Sequence, residues 1–248
     1  MSQIPPVMAR MWGREPAPRR GPRPRLDLGT ITAAAIAIAD AEGLAGVSMS
    51  SVAVRVGVAP MTLYRYVGSK EELLTVMCDG ALPAPPELGD LAWRAYLAAW
   101  TRANRDFLLG RPWLLSLPYL TPPMGPRRLS WLERVLDALA GTSLGTGEKF
   151  NVATTLSGYA LTSATTIAGM LEPEPGDPVV HPSDYGAMLV EVVEPHAYPA
   201  LSAALRSGLP GEADGWTEDG DFRFGLDLLL DGVEALIARR GSQPGGGR

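Results

Sequence analysis

Residues 48–67, SMSSVAVRVGVAPMTLYRYV, leave the backbone few choices. Ser48 stands where a helix N-cap is wanted, its hydroxyl free to accept a backbone N–H. Met49, Val52 and Val56 follow at spacings of three and four, which places them on one helical face. Gly57 supplies a residue tolerant of positive φ, and Val58 can fill the angle that follows. Pro60 suits the first position of a new helix, where no N–H is needed, and Leu63 is its inward anchor. The pattern predicts two short helices joined by a tight turn.

The flanks read as support. Leu28, Ile31, Ala35, Ile38 and Ala39 share one face of a helix over 28–43, started near Asp27 or Thr30. Gly43 is placed to end it in a left-handed conformation. Gly68 breaks the second short helix. Ser69 and Glu72 have the spacing of a capping box and open another helix through Leu73, Leu74 and Met77. Pro83, Pro85 and Pro86 then mark a domain boundary.

Helices are expected over 90–109, 127–139, 148–171, 183–193, 200–206 and 217–240, with a short element at 112–117. The last has an apolar row of Phe222, Leu226, Leu229, Leu230, Val233, Leu236 and Ile237. No strand or repeat is evident, so the chain is expected to be all-α. The predicted units are a domain at 26–80 built on a three-helix helix-turn-helix and a larger helical domain at 87–240. An Arg/Pro-rich arm at 1–25 and a tail at 241–248 are expected to be disordered. Proline density argues against a helix in the arm.

Charge is divided along the chain. The arm holds six Arg against one Glu, residues 26–80 hold three Lys/Arg against six Asp/Glu, and the total is −5. A nucleic-acid binder needs a local basic footprint rather than a basic total. Here Arg19, Arg20, Arg23 and Arg25 would supply much of it through phosphate or minor-groove contacts.

The single cysteine, Cys78, excludes an intrachain disulfide and a cysteine-based zinc cluster. His181 and His196, both beside prolines, do not suggest a metal site, and no cofactor is expected. No paired-carboxylate or Ser/His/Asp pattern points to an enzyme. No apolar run follows the N-terminal arginines, so no secretory leader is expected. Thr and Ser crowd 151–171 too densely for a membrane span. A cytoplasmic protein without membrane association is the expectation.

The second short helix carries the recognition chemistry. Ala59, Met61, Thr62, Tyr64 and Arg65 point outward, with Tyr66 at the end. Small residues allow close approach to base edges, and Thr62 can bond a base or phosphate. Tyr64, Tyr66 and Lys70 suit phosphate contacts that set register. Lys70 also begins a helix, where exposed N–H groups favour an anion.

The run GVAPMTLYRYVGSKEELL resembles the DNA-binding signature of tetracycline-repressor (TetR) family regulators. The likeness extends back through AIAIADAEGLAGVSMSSVAVRVG. It implies that the helix at 59–66 enters the major groove, with Ala59, Pro60, Met61, Thr62, Tyr64, Arg65, Tyr66 and Lys70 at the DNA; Ser48 is expected to lie at the DNA as well. Ala59 departs from the capping serine or threonine commoner there. The resemblance also implies a homodimer, with helices 148–171 and 217–240 pairing with their mates. Gly158, Ala160, Ala164, Ala168 and Gly169 would permit close approach, although both helices could instead be monomer core. A small-molecule effector would bind the larger domain, where Trp100, Asn104, Phe107, Trp113, Tyr119, Tyr159 and Thr162 lie on expected inner faces.

The leading expectation is a repressor released from double-stranded operator DNA by a small hydrophobic effector. The alternative is an all-helical small-molecule-binding protein or enzyme that does not use DNA, which the negative charge of 26–80 favours.

Overall fold

A computed structural model describes residues 4–14, 26–117, 124–171, 182–207 and 218–242, and every described element is helical. The arginines at 19, 20, 23 and 25, Tyr119, His181 and residues 243–248 lie outside the described residues.

The N-terminal head consists of α2 (Leu28–Glu42), α3 (Met49–Val56), α4 (Pro60–Leu63) and α5 (Lys70–Gly80), preceded by α1 (Pro6–Met11). Asp27 caps α2 by accepting from the Thr30 N–H at 2.7 Å. Gly43 has the positive φ expected of it, +71°, but its ψ of 179° is not left-handed helical. The chain instead leaves directly into a 3-10 turn, Leu44–Gly46, that delivers fully buried Val47 to the core. Ile31, Ala35 and Ile38 from α2 meet Val52 and Ala53 of α3, Leu63 of α4, and Leu73 and Met77 of α5 in that core.

Residues 6–11 correct the expectation of a helix-free arm. Pro5 is the N-cap and Pro6 the first helical residue, where a proline removes no helical bond. Val7 and Met8 are buried, Met11 packs beside them, and α1 rests on α5. Six residues cannot sustain a helix alone. Burial of the two side chains, on the order of 3 kcal/mol, holds it in place.

The body contains α6 (Trp93–Leu109), a 3-10 segment (Pro112–Ser116), α7 (Pro126–Ala138), α8 (Thr146–Leu171), α9 (Pro182–Val192), α10 (Pro199–Arg206) and α11 (Glu218–Gly241). α8 packs chiefly on α6, and also on α7 and α11. Val152, Leu156, Ala160 and Ala164 all face inward from α8. Ala160 and Ala164 therefore admit close packing within the chain, rather than lying free for a second copy. Among the described residues no helix is long and apolar enough to cross a membrane.

Candidate nucleic-acid interface

The turn between α3 and α4 is fixed by short-range chemistry. Ser48 Oγ accepts from the Ser51 N–H at 3.0 Å, and Ser51 Oγ accepts from the Ser48 N–H at 2.9 Å, closing a reciprocal cap. The Ser48 hydroxyl is thus committed to holding α3. Gly57 ends α3 at φ +73°, ψ 36°, a left-handed position that a Cβ would strain. Ala59 precedes α4 without a side-chain cap, as its methyl requires, and Pro60 opens the helix.

Leu63 and Val67 are completely buried, so the opposite side of α4 is turned to solvent. Met61 is 74% exposed and Tyr64 45%, and Ala59, Pro60 and Arg65 are exposed with them. Thr62 and Tyr66 are only half-buried, and the Tyr66 ring packs against the core. An apolar, aromatic and cationic surface without regular side-chain partners can meet thymine methyls, base edges and phosphates.

Lys70 begins α5 and is exposed. Ser69 caps that helix by accepting from the Glu72 N–H at 3.2 Å. The expected capping box is displaced by one residue: the Glu72 carboxylate accepts from the Gly68 N–H at 2.7 Å. Glu71 is held below the ordinary carboxylate range, first by a hydrogen bond from Ser69, and Lys70 also contributes. Two of the head's acids therefore have local work. Exposed Arg55, from α3, adds a third cation to Arg65 and Lys70.

Three features that spacing did not reveal join the head to the body. Asp79, buried on α5, accepts from the backbone N–H groups of Arg127 (3.3 Å) and Arg128 (2.9 Å), so it caps α7 from another helix. A Cβ on Gly125 would lie 2.2 Å from the Asp79 carboxylate, so this approach requires glycine. Asp40 of α2 accepts from Trp113 Nε1 at 2.8 Å and Arg111 Nε at 3.1 Å. From α1, Arg10 donates to the Tyr66 carbonyl, and just past it Trp12 Nε1 donates to the Met124 carbonyl at 2.9 Å. The signal for α1 was present: Val7, Met8 and Met11 follow a proline at helical spacing.

The body candidates divide. Trp100, Asn104 and Phe107 are buried along α6, and Trp100 Nε1 donates to the Trp131 carbonyl at 3.1 Å. Trp113 is buried too, but its indole N–H ties body to head. Tyr159 stacks on Phe222 at 5.2 Å and donates to the Phe222 carbonyl at 2.9 Å. Thr162 does not face inward as expected: it is exposed, because the inward turn of α8 is taken by Ala160 and Ala164. Arg105 was missed. It is buried against the Phe222 ring, 4.0 Å from its centroid, and bonds Asp219 at 2.8 Å, while its Nη1 has no hydrogen-bond partner among the described residues.

Comparison with known proteins agrees with this architecture. Residues 31–77 match the bacterial regulatory proteins, tetR family, and residues 84–237 match the tetracyclin repressor-like, C-terminal domain. The HTH-type transcriptional repressor DrrR1 of Streptomyces coeruleorubidus is 35% identical over 236 residues, 93% of this chain and 85% of that protein. The class A tetracycline repressor protein from transposon 1721 in Escherichia coli is 25% identical, over 89% of this chain and 97% of its own. The Streptomyces coelicolor TetR family protein ActR, solved in complex with (S)-DNPA, has the same fold. Its TM-score is 0.70 at 22% identity, covering 86% of this chain and 98% of that one. The alternative of a helical protein or enzyme that does not use DNA is thereby set aside. The chain belongs to the tetR family of DNA-binding transcription regulators, which are not enzymes.

Proposed function

We propose that the chain is a homodimeric repressor that sets two copies of α4 into successive major grooves of a near-palindromic operator. A small, largely apolar effector held by the body releases it. The observation that carries the reading is the outward face of α4, where Met61 and Tyr64 stand in solvent over a fully buried Leu63. Ala59, Pro60, Met61, Thr62 and Arg65 line the groove, Tyr64, Tyr66 and Lys70 contact phosphates, and Ser48 holds α3 in register. The similarity to DrrR1, a repressor, supports the direction of regulation. Structures of ActR with (S)-DNPA and with actinorhodin show that a related fold takes small molecules.

Support for a dimer comes from apolar surface that one chain does not cover. On α11, Phe224 is 70% exposed and Leu228 57%, and Phe150 of α8 is exposed as well. Leu229 and Val233 already pack toward the chain's own core. Large exposed apolar residues in such number mark an association surface.

A gel shift on DNA upstream of the chain's own gene tests the proposal. Retardation at nanomolar protein is expected, and the double variant Phe224→Asp, Leu228→Asp should be monomeric by light scattering and lose at least about tenfold in affinity. Binding undiminished by a shift to monomer would contradict the two-headed reading. If Arg19, Arg20, Arg23 and Arg25 touch phosphates, changing all four to Ala flattens the salt dependence of binding. An unaltered salt slope would remove the arm from the interface.

A further inference from the structure

A cavity of about 450 Å³ lies where α1, α5 and the start of α7 meet. Its walls are Met8 and Met11 of α1, Leu74 and Cys78 of α5, and Leu117 and Met124 on the body side. This volume falls within the roughly 300–1,000 Å³ of small-molecule sites. Three methionines give it walls that adapt to the shape of an occupant.

Its polar groups favour a neutral occupant. Glu71 and Arg128 contribute one charge of each sign, and the Asp79 carboxylate is committed to the N-terminus of α7. Burial pushes the Cys78 thiol up to about 11, so it stays an uncharged, weakly polar surface at neutral pH. None of the effector candidates on α6 or α8 lines this space.

The cavity also sits on the connection between head and body. The helix that contributes Met8 and Met11 donates from Arg10 to the carbonyl of Tyr66, in the turn that follows α4. Trp12, one residue beyond α1, donates to the carbonyl of Met124, itself a wall residue. Residues 6–11 lie outside both stretches that match the family, 31–77 and 84–237.

We propose that this cavity binds a neutral, largely apolar small molecule, and that α1 couples its occupation to the placement of the reading helix. The proposal rests on DNA binding by α4 but goes beyond an effector in the body. An occupant displaces Met8 and Met11, α1 moves with them, and the Arg10 bond at Tyr66 shifts or breaks. For operator release the occupant must favour the displaced arrangement, since equal affinity for both would shift nothing.

The test uses the full chain labelled with methyl-¹³C methionine and the neutral probe N-phenyl-1-naphthylamine. Of nine methionine signals, those of Met8, Met11 and Met124, assigned by single Met→Leu variants, should move on titration. Thr75→Trp, at an exposed position of α5 on the cavity wall, should abolish those shifts. The probe should weaken operator affinity at least about threefold in the parent chain and leave Thr75→Trp unaffected. Absence of shifts at all three methionines, or shifts confined to the others, overturns the site. Shifts at the three without any change in operator affinity overturn the coupling. In either case operator binding without probe, measured on the same sample, reports separately on the repressor reading.

Discussion

The outer face of α4 and the joint between α5 and α7 treat polar groups oppositely. Along α4 and the turn after it, Tyr64, Arg65 and nearby Lys70 stand exposed, with Met61 in water. At the joint, Asp79 is buried and accepts from two backbone N–H groups of a helix nearly fifty residues away. Under the proposed function, this surface exchanges water for DNA and keeps its groups available. A joint that holds one helix end against another helix has its groups paired, because an unpaired buried carboxylate is strongly destabilising. The comparison teaches that binding and stability are separable here: substitutions on α4 should alter affinity without altering fold, and substitutions at the joint should do the reverse.

The largest effect is expected at Asp79. Replacing it with Ala strips two helix-end N–H groups of a charged acceptor inside the protein, which should lower unfolding free energy by about 3 kcal/mol. Thermal unfolding followed by circular dichroism checks this, and Asp79→Asn, which keeps acceptor geometry, should recover part of the loss. An Asp79→Ala chain as stable as the parent would show that α7 is capped some other way.

A smaller effect is expected at the turn. Gly57→Ala places a Cβ at φ +73° and should destabilise by roughly 1–2 kcal/mol. Because α4 hangs on this turn, operator affinity should fall as well, joining the two properties at one residue. Unchanged stability in urea unfolding would mean that the turn relaxes without strain.

The smallest is at the cap of α2. Asp27 lies below the ordinary carboxylate range because the Thr30 backbone and side chain donate to it. A depressed folded pKa means that its contribution is present above the unfolded value near 3.9 and is lost as pH falls through the folded value. Asp27→Ala should therefore lose about 1 kcal/mol at pH 7 and progressively less below pH 4. A loss independent of pH down to 2.5 would show that the charge is not what caps the helix.

Most of the head was legible in the sequence because its determinants are local. Ser48, Gly57, Pro60 and Ser69 each act on backbone within three or four residues, and the structure places them as caps and turns. What local reading missed depends on contacts between distant segments. Glu72 bonds Gly68 instead of completing a box with Ser69, since the turn between α4 and α5 brings the earlier N–H closer. The helix at Pro6–Met11 was hidden by proline density, although the prolines sit at its start, where they do no harm. Asp40 with Trp113, and Asp79 with the start of α7, have no periodic signature at all. In the body, residue type suggests an inward Thr162, whereas helical phase puts Ala160 and Ala164 there. Arg105 is buried, although a charged residue amid an amphipathic pattern reads as solvent-facing.

The most direct test is operator affinity set beside unfolding free energy for Tyr64→Ala and Lys70→Ala. The separation of reading face from joint predicts affinities lower by about tenfold, equivalent to about 1.4 kcal/mol, with unfolding free energy within about 0.5 kcal/mol of the parent chain. Unchanged affinity in both variants, or a loss of binding that tracks a loss of stability, would contradict it.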